Sequence, residues 1–235
     1  MKRHSSGFII GIVVSLILGF GIVAGVALSL RAAWGIGYEP PSVLKATPTG
    51  PNSATISFSA FPDSLVCHPN ADAKESQWVT YCPTTNFEVP PNSVITVVIK
   101  QYDSATTLVN DYFRQVHGTI DGTMTVNGKS MTEISADAPG HTFTLQSSPD
   151  TTYPIFVSVP LLGVADNADP NAVTINGNPY PKPNVISFQF RTGPPGTYVW
   201  HCYVPCGNDR EPPYGFSGAM STTGFMAGTM TVGSY

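Results

Sequence analysis

Cys202 and Cys206 stand four residues apart in GTYVWHCYVPCG (196–207), and Met226 follows them shortly before the chain ends. Thiolate and thioether sulfurs are soft donors, and an imidazole added to them suits a metal that cycles between Cu(I) and Cu(II). The imidazole on offer is His141, at the head of the strand-like run PGHTFTLQ (139–146), because no histidine follows Cys206. His141, Cys202, Cys206 and Met226 are therefore the candidate copper ligands. The set is incomplete, since a site with two histidines and one cysteine needs a second imidazole. Two alternatives stay open at this point: His141 as a histidine satisfied by hydrogen bonds at the rim of a sheet, and Met220 in place of Met226. Met226 has the closer context, between Gly224 and the last strand-like run.

The other histidines have no metal-ligand spacing. His201 adjoins Cys202, and neighbouring side chains on a strand point to opposite faces. His68 and His117 read as surface or hydrogen-bonded histidines. Cys67 and Cys82 bracket the polar loop HPNADAKESQWVTY, so a disulfide closing that loop is the plain reading, although four cysteines allow three pairings. The segment GNDREPPYGFSGAMSTTG (207–224) has the Pro, Gly and aromatic content of a packed surface that could meet a partner subunit. Its Asp209, Arg210 and Glu211 suit local salt bridges, worth at most ~1 kcal/mol each when exposed, and not acid–base catalysis. No Ser-His-Asp spacing, nucleotide loop or paired-histidine zinc motif supports a freestanding hydrolase.

Strands must position these donors. SATISFSAF (53–61) alternates apolar and polar residues, SVITVVIKQY (93–102) is a β-branched run, and GTMTVNGK (122–129) ends in an Asn-Gly turn signal. HTFTLQ (141–146), YPIFVSVPLL (153–162), VISFQFRT (185–192), TYVWHCYV (197–204) and GTMTVGSY (228–235) follow. Eight short strands separated by turns, with no helical period among them, predict an all-β sandwich or barrel. Charged residues make up 11% of the chain, against roughly 25% in a typical soluble domain. The 22 Gly and 22 Pro agree with many turns and little helix.

The first thirty residues differ from this body. Phe8 to Leu30 is a run of 23 residues without a charge, which as a helix would reach ~35 Å and cross a hydrocarbon core of ~30 Å. Its length favours a retained transmembrane anchor over a secretory signal, whose apolar region is usually ~7–15 residues. Lys2, Arg3 and His4 precede the span and only Arg31 follows closely, so the N-terminus is expected in the cytoplasm and the body outside the cell membrane. Gly19, Gly21 and Gly25 give the span a face that another helix could approach. The expected organisation is an anchor (1–31), a Pro- and Gly-rich linker (32–52) and a β body (53–235). With Lys2, Arg3 and Arg31 set aside, eight basic and fifteen acidic residues remain, a formal net charge of −7. No basic excess is left to attract nucleic acid.

The body resembles a cupredoxin domain over most of residues 85–232. VPPNSVITVVIKQYD (89–103) is similar to an early cupredoxin strand and HTFTL to the strand carrying the first ligand. PGTYVWHCYVP (195–205) is similar to the strand entering the ligand loop, and TTGFMAGTMTV (222–232) to the exit carrying the axial methionine. With the anchor added, the chain resembles subunit II of haem-copper terminal oxidases, and CYVPCG resembles the Cys-x-x-x-Cys-Gly of that subunit's binuclear copper centre. The resemblance implies a cupredoxin-like Greek-key β-sandwich with one N-terminal transmembrane α-helix. It also implies a place in a respiratory quinol oxidase, for electron transfer or docking, with haem in a partner subunit.

The sequence departs from that family where its second histidine and a methionine should follow. Arg210 stands four residues after Cys206, Pro213 three further on, and a guanidinium has no lone pair for copper. Three readings fit these residues. One copper is bound by two sulfurs of Cys202 and Cys206 with His141 and Met226, as in a membrane-tethered copper electron carrier. Alternatively the site is metal-free, with Cys202 and Cys206 as a disulfide or two thiols in a quinol-accepting subunit. The third is an extracellular structural or binding module with no redox role.

Overall fold

The computed structural model describes residues 42–108, 110–148, 151–204 and 218–233, together with Gly19, Gly21 and Ile22. The chain divides into two compact units, Met1–Pro40 and Pro41–Tyr235. In the first, Gly19, Gly21 and Ile22 are helical, and the rest of the expected membrane span lies outside the described residues. Among the described residues no helix is long and apolar enough to cross a membrane.

The second unit is built of strands. The chain runs through β1 (Val43–Lys45), β2 (Thr47–Gly50), β3 (Ser53–Phe61), β4 (Thr80–Cys82) and β5 (Asn86–Val89). It continues with β6 (Val94–Gln101), β7 (Met124–Val126), β8 (Lys129–Met131), β9 (Pro139–Ser147) and β10 (Phe156–Leu162). The last are β11 (Val173–Ile175), β12 (Asn178–Tyr180), β13 (Asn184–Arg191), β14 (Gly196–His201) and β15 (Ala227–Val232). One sheet has the order β1-β5-β15-β14-β9-β10, the other β2-β3-β6-β13-β7-β8 with β4 beside β3. Both sheets are mixed: β3 runs parallel to β6, and β5 parallel to β1 and β15.

Alternation decides the facing. Along β6 every second residue from Ile95 to Gln101 is buried, and β13 buries Ile186, Phe188 and Phe190, as a strand with one face on a core should. The inner faces of the two sheets share one apolar core, which makes the body a β-sandwich. At its centre the ring of Trp200 on β14 lies 4.7 Å from Phe143 on β9 and 5.9 Å from Phe58 on β3 of the opposite sheet. The indole N–H donates to the carbonyl of Thr85 at 2.7 Å, so its one polar group is satisfied without water.

All eight expected strands coincide with observed ones. Asn127 and Gly128, with φ of 49° and 84°, make the β7–β8 turn, and Asn176 and Gly177 make the β11–β12 turn in the same way. β1 and β2 fall within the stretch expected as a linker and pair as outer strands of the two sheets. Cys67 and Cys82 form a disulfide, with 5.8 Å between their Cα atoms.

Candidate functional site

Three neighbouring strands bring the candidate donors to one end of the first sheet. His141 is the third residue of β9, Cys202 follows the last residue of β14, and Met226 precedes the first residue of β15. β14 lies between the other two, and its last residue, His201, pairs with Thr144 of β9 and Ala227 of β15. The amide of Cys202 donates to the carbonyl of Met226 at 3.0 Å, continuing the ladder by one step. His141, Cys202 and Met226 are all buried, at 1%, 0% and 0% exposure.

Nδ1 of His141 lies 3.8 Å from Sγ of Cys202. Two donors of one tetrahedral centre, with bonds of about 2.0 Å to nitrogen and 2.3 Å to sulfur, would stand about 3.5 Å apart. The sulfur also accepts from the Thr142 amide at 3.3 Å and lies 3.6 Å from the Val204 carbonyl. A soft sulfur and an imidazole nitrogen at this spacing fit copper, and Met226, just ahead of β15, is joined to Cys202 through its backbone carbonyl. Cys206 lies outside the described residues. Among the described residues no three His, Cys, Asp or Glu side chains gather to hold a metal ion.

The other ring nitrogen of His141, Nε2, is 3.0 Å from Oδ2 of Asp103, just after β6 of the opposite sheet. Burial is the largest single influence on this imidazole and favours its neutral form. The Asp103 contact, the Cys202 sulfur and the charges of both together outweigh it, and the pKa of His141 is pushed up from 6.5 to about 9. At neutral pH the ring is an imidazolium, so a metal at Nδ1 must displace a proton.

Thr142 serves both strands. Its hydroxyl accepts from the amide of Tyr203 at 2.8 Å, and its carbonyl accepts from the Tyr81 hydroxyl at 2.9 Å. Met220, in a 3-10 turn at Gly218–Ser221, is also buried, and the Met226 amide donates to the carbonyl of the neighbouring Ala219 at 3.2 Å.

Among the described residues the other histidines have other partners. His201 packs its ring 4.1 Å from Tyr203, and its Nδ1 lies 3.0 Å from the Cys202 carbonyl. His68 pairs through Nε2 with the Gly224 carbonyl at 2.9 Å and stacks on Phe225. His117 pairs with the Tyr112 carbonyl at 3.1 Å and stacks on the Tyr112 ring. Asp103 and Thr142 are the site residues that sequence patterns miss. Asp103 is a single carboxylate after an apolar strand, and its contact with His141, 38 positions on, joins the two sheets.

No protein family model matches the chain, and no curated protein matches it. Solved structures that it resembles include auracyanin B, at 16% identity and a TM-score of 0.33 over 80% of this chain and 94% of that one. Rusticyanin from Thiobacillus ferrooxidans is similar at 11% identity and a TM-score of 0.38, over 84% and 86% of the two chains. A chain of a heme-copper terminal oxidase dimer is similar at 13% identity and a TM-score of 0.30, over 97% and 99%. What stands on the chain's own strands and contacts is a mixed two-sheet β-sandwich with a buried imidazole–sulfur pair at one end.

Proposed function

We propose that the chain is a cupredoxin-like electron-transfer component of a respiratory haem-copper oxidase, held at the membrane by its N-terminal apolar segment with the sandwich outside. The observation that carries the metal-binding part is the 3.8 Å approach of His141 Nδ1 to Cys202 Sγ, inside a buried strand end with Met226 adjoining. His141 and Cys202 would hold copper, with Met226 and Cys206 completing the set. Copper, when bound, supplies a one-electron couple. The chain's own part is to hold the donors in a packed end of the sheet and to keep water from them. The oxidase assignment is supported by CYVPCG and the charge-free run 8–30 of the sequence.

A second reading has an observation of its own. His141, charged at neutral pH between Asp103 and Cys202, could serve as a structural ion pair in a subunit that docks but carries no metal. Elemental analysis and visible absorption of the full chain, purified in mild detergent from copper-supplied cells, separate the two. About one copper per chain with a thiolate charge-transfer band in the oxidised protein supports the first. A metal-free chain with intact fold overturns it in favour of the second. Co-purification of haem-bearing subunits tests the oxidase assignment separately.

A further inference from the structure

The loop that carries Asp103 is gripped on both flanks by the strand end that carries His141 and by the strand beside it. Its carbonyl accepts from the Val164 amide at 2.8 Å, and the Thr106 amide donates to the Pro139 carbonyl at 2.9 Å. Within the side chain, Oδ1 accepts from the Ser104 amide at 2.7 Å, and Oδ2 lies 3.0 Å from Nε2 of His141 as an ion-pair contact. Two glycines make the grip possible. A β-carbon on Gly140 would stand 2.8 Å from the Ser104 carbonyl oxygen, and one on Gly163 would stand 2.6 Å from the Ala105 Cα. Loop 103–106 therefore sits against backbone on each side, and the carboxylate has little freedom.

We propose that Asp103 is the positioning residue for His141: by holding Nε2 it fixes the ring so that Nδ1 faces the sulfur of Cys202. This rests on the metal-binding reading of the site. A metal-bound histidine commonly gives its second N–H to a carboxylate or carbonyl, which sets the tautomer and ring plane and raises the basicity of the ligating nitrogen. The carboxylate comes from the opposite sheet, so the same contact ties the donor end of β9 to the end of β6. With no histidine after Cys206 to add a second imidazole, the orientation of His141 matters more.

The test compares the full chain in mild detergent with its Asp103→Asn and Asp103→Ala variants, each checked for fold by circular dichroism. Cu(I) affinity is measured by competition with a colorimetric chelator, and the His141 ring nitrogens are followed by 15N NMR in the metal-free protein. Asp103→Ala is expected to weaken Cu(I) binding about 10–100-fold and to shift the His141 ring-nitrogen signals. Asp103→Asn, which keeps an oxygen and loses the charge, should fall between. Unchanged affinity in a folded alanine variant overturns the proposal. If the unaltered chain takes up no Cu(I), the metal-binding reading falls and the NMR decides: unchanged ring signals in the variants overturn the role of Asp103, and altered ones uphold it. Should the alanine variant fail to fold, the same two readouts on the near-isosteric asparagine variant decide between these outcomes.

Discussion

Nδ1 of His141 and Sγ of Cys202 approach to 3.8 Å although 61 residues separate them in sequence, because each lies at the same end of one of two neighbouring strands. Both are buried, so solvent screens neither of them.

Replacing either donor should therefore remove more than an outer residue does. Cys202→Ser exchanges a soft thiolate for a hydroxyl, and His141→Gln removes the imidazole. Each is expected to weaken Cu(I) binding by more than the roughly 10–100-fold typical of an outer-sphere change. Met226→Leu, which removes a weak axial donor, should cost less. Chelator competition with all three variants checks the order.

The pH dependence of stability follows from His141. Its proton is held to about pH 9 in the folded state and is released near 6.5 from an unfolded chain. Folding thus binds the proton more tightly. The stabilising contribution is complete below about pH 6.5, shrinks as pH rises, and is gone above about pH 9. The urea midpoint of the metal-free protein should fall across that window, and the fall should be smaller in Asp103→Asn. Cu(I) affinity should rise across the same window, because the metal competes with the departing proton.

Trp200 packs on Phe143 of its own sheet and reaches Phe58 of the opposite one. Truncation to alanine should cost about 3–5 kcal/mol, as for other large buried aromatics. Trp200→Phe should cost less: the Thr85 carbonyl loses its indole donor but keeps the Thr229 amide at 3.2 Å, a penalty of about 0.5–1.5 kcal/mol. Denaturant titration of both variants measures the difference.

The disulfide predicts a separate effect. Cys67 and Cys82 are 15 residues apart, and releasing a loop of that size from its cross-link should lower stability by about 3 kcal/mol. Thermal melts of the Cys67→Ser/Cys82→Ser double variant should show it, with little change in Cu(I) affinity, since neither cysteine is among the candidate donors.

The sandwich was legible where strands alternate. β3, β6 and β13 show one buried face in the sequence itself, and the Asn127-Gly128 turn carries its own signature. β4 and β5 did not stand out because TYC and NFEV are short and buried at nearly every position, so no period develops. β2 is Thr-Pro-Thr-Gly with every residue exposed, which in sequence is indistinguishable from a turn. At the site, residue type pointed to His141, Cys202 and Met226, since few other groups could bind a soft metal. Asp103 was invisible for the opposite reason: carboxylates in loops are common, and only the meeting of two sheets brings this one to His141.

The parallel pairing of β5 with β15 sets Asn86 beside Thr229, with their side chains hydrogen-bonded at 2.8 Å across 143 residues. β15 is an inner strand that follows all its neighbours in the chain, so during synthesis β5 and β14 wait for it with one edge each unsatisfied. Contacts this distant in sequence slow folding and prolong exposure of open strand edges. A nascent chain must emerge through β15 before the cradle around Met226 can close, and a proteolytic cut just ahead of that strand would open the middle of a sheet rather than trim a tail.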